Sequence, residues 1–243
     1  FIRRMVMNKK YESFFTENET REIEAAIKEV ESRTSGEIVT MIVKSCDDYR
    51  DIDVIVGIII SSILSFYPAE MVYANSGFLL RKLLPSMSWL TQIPDGIRFI
   101  TGLTAFVIMT AVLFFPVKLV FTKFPSFKRL LIALQRMDFE VRGRALRAFY
   151  EHGLDKTRDA TGILFLISIF EKRVHVLADH GIYTKIKQKA LDKYAGSIGK
   201  GIAAGKGGEA LLAAIKDAGK ELEKHFPRKS DDTNELPDRI VIE

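Results

Sequence analysis

A long apolar segment in the middle of the 243-residue chain constrains its fold more than any other feature. The segment covers residues 52–121 and contains two apolar runs, of which the second, 97–121, carries charge only at Arg98 and Lys118. A helix needs about 20 mostly apolar residues to cross the hydrocarbon core of a bilayer, which is about 30 Å thick. The second run meets this length, and we predict that it spans a membrane.

The first apolar run is shorter and needs a continuation to reach the same length. It is purely apolar or hydroxylic over 54–66, and it reaches spanning length only by passing Pro68 and Glu70 to Tyr73. The alternative is a pair of buried helices in a soluble protein. Such helices carry a polar stripe at a spacing of 3.6 residues, and residues 101–115 show no polar side chains beyond small hydroxyls. The sequence therefore favours a two-helix transmembrane hairpin.

Basic residues on the two sides of the hairpin predict its orientation. The connecting loop, 74–96, carries only Arg81 and Lys82, whereas Lys44 and Arg50 precede the hairpin. Seven more bases follow it closely: Lys123, Lys128, Arg129, Arg136, Arg142, Arg144 and Arg147. Basic flanks stay on the cytoplasmic side of a membrane. We therefore expect an inner (plasma) membrane protein with both flanking segments in the cytoplasm and the loop outside.

The position of the positive charge also bears on partners. The net charge is +5, but no nucleic-acid recognition motif accompanies it, so we expect no nucleic acid. Bases beside a membrane span are typical of contacts with anionic lipid. We predict such contacts for four side chains: Lys123, Lys128, Arg129 and Arg136.

The polar segments before and after the hairpin together predict one α/β domain that the hairpin interrupts. Thr16 and Glu19 form a capping box that opens a helix, and the strand 37–44 follows it. After the hairpin come a helix at 139–152, strands at 163–169 and 173–178, and helices at 183–194 and 208–225. A strand–helix–strand order predicts a parallel pair with a right-handed crossover. The first strand is apolar on both faces, so we place it inside the sheet beside the strand 163–169.

This order predicts four segments along the chain. Residues 11–50 form the first part of the α/β domain and 51–121 the transmembrane insert. Residues 122–226 hold an interfacial helix near 127–134 and the remainder of the domain, and 227–243 form a charged tail. The fold class is α/β, a small αβα sandwich interrupted by a two-helix hairpin.

Three short motifs resemble the TPM domain, a family named for a thylakoid-lumen protein, a photosystem repair protein and a receptor modulator. The first is Ser35-Gly36-Glu37-Ile38-Val39 after the capped helix. The second is Thr161-Gly162-Ile163-Leu164 with Ile167 and then Val174-His175-Val176. The third is the stretch with Gly201, Gly205, Ala210 and Ala214. The resemblance covers 14–45 and 138–226 and implies a Rossmann-like sandwich. Some bacterial members carry a transmembrane pair inside the domain, which matches the hairpin that we predict for this chain.

The resemblance also implies two activities, acid phosphatase and calcium binding through acidic loops. Many relatives read Gly-aromatic-Gly-Leu-Glu, followed by Leu-x-Asp, in the relevant loop. This chain reads Asp179-His180-Gly181-Ile182-Tyr183-Thr184-Lys185, so the first glycine and the glutamate are replaced and no aspartate follows before Asp192. These departures argue against both activities here.

The residues that carry candidate chemistry are acidic and cluster near predicted strand ends. The candidate metal ligands are Glu37, Asp47, Asp48 and Asp179, and carboxylate oxygens of this kind suit Ca²⁺ or Mg²⁺. The alternative is that Asp47 and Asp48 cap a turn and that Asp179 caps a helix. His180 is a candidate acid or base, or a hydrogen-bonded loop residue.

Two other features lack the context that chemistry would need. The glycine-rich run 196–208 does not match a phosphate-binding loop, because neither Gly-Lys pair has the required first glycine or a following Ser or Thr. Small residues that let helices pack closely explain it better. The single Cys46 is a candidate nucleophile, but a small apolar residue at a strand end is the more common role.

These observations predict a membrane-anchored, non-enzymatic protein that binds a partner protein during the assembly or repair of membrane proteins. The alternative is a metal-dependent acid phosphatase that uses the acidic loop residues. No cofactor is firmly indicated, and Ca²⁺ or Mg²⁺ would serve the alternative.

Overall fold

A computed structural model describes residues 14–83, 94–229, 231, 235–237 and 239–243. The chain divides into two compact units. The α/β unit comprises the segment that ends at Asp47 and the segment Leu134–Glu243, and the hairpin unit comprises Asp48–Ala133. The first unit is therefore discontinuous in sequence, as expected from the position of the apolar segment.

The secondary structure follows the predicted order with several shifted boundaries. The helices and strands are, in chain order, α1 (Glu17–Glu31), β1 (Glu37–Val43), α2 (Arg50–Ala74), α3 (Ser76–Leu83), α4 (Asp95–Lys123), α5 (Pro125–Leu131), α6 (Leu134–Glu151), β2 (Gly162–Ser168), β3 (Arg173–Ala178), α7 (His180–Tyr183), α8 (Gln188–Ala203), α9 (Gly207–His225) and β4 (Val241–Ile242).

The four strands form one mixed sheet in the order β3-β2-β1-β4. β1 and β2 pair in parallel over seven residues, from Glu37 opposite Gly162 to Val43 opposite Ser168. β3 pairs antiparallel with β2. The predicted pairing of β1 with β2 across the insert is confirmed. It explains why β1 is buried along its whole length.

Helices cover both faces of the sheet. Alternate residues of a strand point to opposite faces. Ile38 and Ile42 of β1 pack in a core with α1, α8 and α9. Val39 and Met41 pack in a second core with α6. The mixed α/β class is confirmed. In the part of the α/β unit that the structure describes, α6 covers one face together with Leu154 of the 3₁₀ helix Leu154–Lys156.

The segment 227–243 is not only a charged tail, as the sequence predicts, because it contributes an edge strand. Val241 pairs with Met41 and Ile242 pairs with Ile42, in parallel. Pro227 also forms an isolated bridge with Thr34. The strand β4 is only two residues long and lies among charged residues, so the composition of the segment does not indicate a strand.

The predicted helix at 183–194 is wrong in its limits. The short α7 ends at Tyr183, and α8 begins at Gln188 and continues through the glycines to Ala203. The chain turns instead at Gly205, whose φ of 73° is left-handed. A Cβ on Gly201 would lie 2.2 Å from the Cβ of Ala210, so the glycine lets α8 and α9 approach closely. The structure thus agrees with the interpretation of this run as a helix-packing device.

The hairpin unit contains two helices that are long and apolar enough to cross a membrane, α2 and α4. α2 has 25 residues and includes Pro68, so the first apolar run continues to Ala74 as one helix. At 1.5 Å per residue it is about 37 Å long, which exceeds the thickness of a hydrocarbon core. The predicted loop 74–96 contains α3, and its residues 84–93 lie outside the described residues.

The packing between α2 and α4 places small residues inside and large ones outside. The buried positions of α2 recur every four residues: Asp53, Gly57, Ser61, Ser65 and Ala69. A Cβ on Gly57 would lie 3.0 Å from the Phe114 ring, and one on Gly102 would lie 3.0 Å from the Cβ of Tyr73. Small residues at such spacing are typical of helix pairs in membranes, where backbones approach closely.

Candidate functional site

The sheet register separates the predicted acidic residues into two groups. Glu37 begins β1, whereas Asp47 lies beyond its carboxyl end. Asp179 follows β3, whose last residue, Ala178, pairs with Ile163 near the start of β2. The two ends of a seven-residue strand are about 20 Å apart at 3.3 Å per residue. Glu37 and Asp179 are therefore at the amino end of the parallel pair, and Asp47 is at the other end.

Glu37 has a structural role at the amino end of the sheet. Its carboxylate is buried and accepts a hydrogen bond from the backbone N–H of Glu235 at 3.1 Å. The neighbouring Glu31 carboxylate accepts one from the N–H of Ile38 at 2.8 Å. These two acids fasten α1 and the C-terminal segment to β1.

Asp179 is the N-cap of α7. One of its carboxylate oxygens accepts a hydrogen bond from the backbone N–H of His180 at 2.6 Å, as the capping interpretation expects. Its other oxygen is buried and has no hydrogen-bond partner among the described residues. The His180 side chain belongs to the first residue of α7 and is exposed.

Asp47 and Asp48 form ion pairs instead of a shared site. Asp47 lies 3.5 Å from Arg136 within the α/β unit. Asp48 lies 2.8 Å from Arg50 within the hairpin unit, and both of those side chains are exposed. In the part of the chain that the structure describes, no group of three His, Cys, Asp or Glu side chains lies close enough to hold a metal ion. The structure does not bring the predicted ligands together.

Glu171 is the central residue of a polar cluster at the carboxyl ends of β1 and β2. Its carboxylate is only 2% exposed and accepts hydrogen bonds from the Cys46 N–H at 3.0 Å and the Ser45 hydroxyl at 3.2 Å. The Ser168 hydroxyl donates a further short hydrogen bond to it. The carboxylate thereby ties the turn after β2 to the segment that follows β1. The sequence does not single out Glu171, because two of its three donors, Ser45 and Cys46, lie 126 and 125 positions away.

The surroundings of Cys46 make its thiol unreactive. The residue is buried in the core that α6 covers. Burial is the main reason that the pKa of the thiol is raised to about 12; the Ser168 hydrogen bond opposes this increase and the Glu171 charge adds to it. The thiolate is the nucleophilic form of cysteine. Because that form is scarce at neutral pH, the geometry favours the apolar packing role over the nucleophile.

A polar cleft lies at the free edge of β3, between α6 and α8. It has a volume of about 190 Å³, and its polar lining consists of Asp138, Arg142, Arg173, His175 and Asp192. The Arg173 guanidinium lies 2.9 Å from the Asp138 carboxylate. Burial and, second to it, the Arg142 charge lower the pKa of His175. The sequence did not predict this cleft because its members come from three separate elements.

The hairpin unit contains a buried ion pair that the sequence also did not predict. Lys128 of α5 lies 2.8 Å from Asp53 in the first turn of α2, and the two side chains are 12% and 6% exposed. The Lys128 ammonium also donates to the backbone carbonyl of Asp48. Lys128 is therefore engaged within the protein, in contrast to the lipid contact that we predict for it. The signal in the sequence is the pair of acids Asp51 and Asp53 at the start of an apolar run.

Comparisons with known proteins address the fold alone. Comparison with protein-family models and with curated proteins finds no match. A similar solved structure is the NMR structure of BA42 protein from the psychrophilic bacterium Bizionia argentinensis sp. nov., with 19% sequence identity and a TM-score of 0.52. The similarity covers 95% of this chain and 96% of that one. At this level of identity the similarity supports the fold and gives no information on function.

Proposed function

We propose that this protein is a membrane-anchored TPM-like domain that binds a partner protein during the assembly or repair of membrane proteins, without catalysis. The observation that carries the membrane anchor is the packing of the hairpin unit. Its buried positions on α2 are small or polar, and its large apolar side chains face outward. This arrangement is the reverse of that in a soluble helix pair, which buries its large apolar residues.

The exposed apolar surface is too large for a protein in water. On α2 it includes Ile55, Ile58, Ile59, Ile63, Leu64 and Phe66, and on α4 it includes Phe99, Ile100, Leu103, Val107, Ile108, Val112 and Phe115. Leaving one such side chain in water costs about 1.5–3 kcal/mol relative to burial. Apolar patches on soluble monomers seldom exceed about 300–600 Å². A bilayer removes this cost along both helices.

The positions of the family-like motifs support the proposed TPM-like assignment. The Ser35–Val39 motif leads into β1, the Thr161–Leu164 motif begins β2, and Val174-His175-Val176 lies on β3. Short motifs that occupy adjacent strands of one sheet are what a shared domain would show. A Rossmann-like sandwich is part of the same proposal, as is an inner-membrane location with a cytoplasmic domain.

Cysteine labelling in intact cells tests the anchor and its orientation together. A single cysteine is placed at Ser88, in the loop outside the described residues, or at Lys193, exposed on α8. Cys46 stays silent because it is buried. We expect a membrane-impermeant maleimide to label Ser88→Cys from outside and Lys193→Cys only after permeabilisation. Labelling of both variants only after permeabilisation would contradict the anchor, and the opposite pattern would reverse the orientation.

The binding role has its own test in the detergent-solubilised full chain. We expect chemical cross-linking before solubilisation to yield a defined adduct with one membrane protein, absent when the chain is replaced by its hairpin unit alone. An identical adduct with the hairpin unit alone would assign the contact to the membrane helices and would contradict a binding role of the α/β unit.

The metal-dependent phosphatase remains a second candidate because of one observation. The buried second oxygen of Asp179 has no hydrogen-bond partner among the described residues, and a cation could satisfy it. We expect weak or no calcium binding, because Lys185 places a positive charge nearby in the chain and the glutamate of the family pattern is missing. Calorimetry that finds a micromolar Ca²⁺ or Mg²⁺ site lost in Asp179→Asn, together with phosphate-ester hydrolysis, would replace the non-catalytic proposal.

A further inference from the structure

The helix α6 carries an apolar stripe on the face that points away from the sheet. Phe139, Leu146 and Tyr150 are 73%, 50% and 59% exposed. Their spacing of seven and four residues places them within about 40° of arc on a helix of 3.6 residues per turn. The opposite face, with Val141 and Ala148, is buried in the core. α6 is therefore apolar on two faces, and the sandwich covers only one of them.

Two arginines border this stripe, one on each side. Arg142 and Arg147 are exposed, and neither forms an ion pair with a described residue. The other arginines of α6 are engaged, because Arg136 pairs with Asp47 and Arg144 pairs with Glu151 and Glu243. The free acid closest to the stripe on α6 is Glu140, on the Arg147 side. The stripe thus combines aromatic and aliphatic side chains with net positive charge.

We propose that the stripe of Phe139, Leu146 and Tyr150, with Arg142 and Arg147, docks on the anionic headgroup region of the bilayer that holds the hairpin. The inference rests on the proposed membrane anchor. Aromatic side chains favour the interface between headgroups and hydrocarbon, and arginines there attract anionic lipid. The chain supplies the proximity, because α6 begins eleven residues after Lys123, where α4 ends. That length limits the separation to about 40 Å at most.

The helix α8 shows why charge alone does not define the docking face. Lys189, Lys193 and Lys200 lie along one exposed face of α8, on the other side of the sheet. No large exposed apolar side chain accompanies them on this helix. A lysine face of this kind remains solvated at a neutral surface, because it has no apolar side chain that could insert between headgroups. It provides a control face that carries three lysines against the two arginines of the stripe and lacks the apolar side chains.

The test uses the full chain in nanodiscs, with an environment-sensitive fluorophore on a single cysteine. The fluorophore is attached at Leu146→Cys on α6, at Lys193→Cys on α8 or at Ile63→Cys on α2, and the nanodiscs contain brominated lipids that quench it. With anionic lipid present we expect strong quenching at positions 63 and 146 and little at 193. We expect the double variant Arg142→Gln/Arg147→Gln to lower the ratio of docked to undocked protein about fivefold per arginine.

Each outcome of this experiment is decisive. Quenching at 63 without quenching at 146 would overturn the docking inference and leave the anchor intact, whereas no quenching at 63 would overturn the anchor itself. Equal quenching at 146 in purely zwitterionic nanodiscs would refute the role of the arginines. Shielding at 146 that increases with protein concentration in detergent, without lipid quenching, would assign the stripe to a second copy of the chain and would also overturn the proposal.

Discussion

Replacing Glu171 by alanine tests the cluster that joins the ends of β1 and β2. The change removes the acceptor for the Ser168 hydroxyl and for the Cys46 N–H, and both donors belong to buried residues. A buried donor without a partner costs about 1–3 kcal/mol. Two unpaired donors therefore cost about 2–6 kcal/mol. The variant no longer buries a carboxylate, so the desolvation cost that the wild-type protein bears is removed and the net loss of stability is smaller. We expect a loss of about 3 kcal/mol.

Hydrogen exchange measured by mass spectrometry reports this loss within the α/β unit. Exchange of the β1 and β2 amides through cooperative opening reports the free energy of that opening. A loss of about 3 kcal/mol corresponds to roughly 150-fold faster exchange. The control is Glu223→Ala, because Glu223 is exposed on α9, and its effect should stay within about 0.5 kcal/mol.

A second variant separates the hydrogen bonds from general disruption. Ser168→Ala in the Glu171→Ala background removes one of the unsatisfied donors, so the double variant should be less destabilised than the sum of the single changes by about 1 kcal/mol or more. If Glu171→Ala exchanges no faster than Glu223→Ala, the carboxylate is not holding the strand ends together and the reasoning fails.

Three further predictions concern single residues of the α/β unit. Val39→Asp places an unpaired charge at a position 3% exposed and should lower the free energy of unfolding by several kcal/mol, about 3 or more, measured by the same exchange experiment. Cys46 should resist iodoacetamide at pH 8 in the native protein and react fully in denaturant, and rapid native alkylation would contradict its raised pKa and burial. The pKa of His175 is lowered in the fold, so the unfolded chain binds more protons near and below its ordinary value of about 6.5, and stability should decrease as pH falls from 7 to 5. The variant His175→Gln should flatten that dependence, and an unchanged slope would refute the assignment.

Local signals in the sequence were sufficient for much of the fold. Thr16 and Glu19 form the capping box that their spacing predicts, with the Thr16 hydroxyl accepting from the Glu19 N–H at 3.2 Å. The apolar pattern of β1 on both faces predicted a central strand. Its pairing with β2 follows from the strand–helix–strand order, which predicts a parallel pair. These features depend on residues close in sequence or on a burial pattern that is visible in one strand.

The features that sequence reasoning missed depend on contacts between distant segments. β4 has only two residues. It is an edge strand because it pairs with β1, which lies near the opposite end of the sequence. Lys128 and Asp53 are 75 positions apart in the chain, and the Glu171 carboxylate accepts from the Cys46 N–H across 125 positions. The predicted metal ligands do not meet for a different reason, which is local. The direction of β3, antiparallel to β2, brings Asp179 to the end of the sheet opposite Asp47.

The central claim is that a folded α/β unit is interrupted by a membrane hairpin. The most direct test removes residues 48–133 and joins Asp47 to Leu134 with a short Gly/Ser linker. Because β1 and β2 pair without residues from the hairpin unit, we expect a monomeric protein in the soluble fraction. It should give the circular dichroism of a mixed α/β fold, unfold cooperatively and protect the β1 and β2 amides from exchange. An unfolded chain would show that the hairpin is part of the fold. A folded chain that stays in the membrane fraction even after extraction with high salt and alkaline carbonate, which release proteins docked only at headgroups, would show that the hairpin is not the anchor.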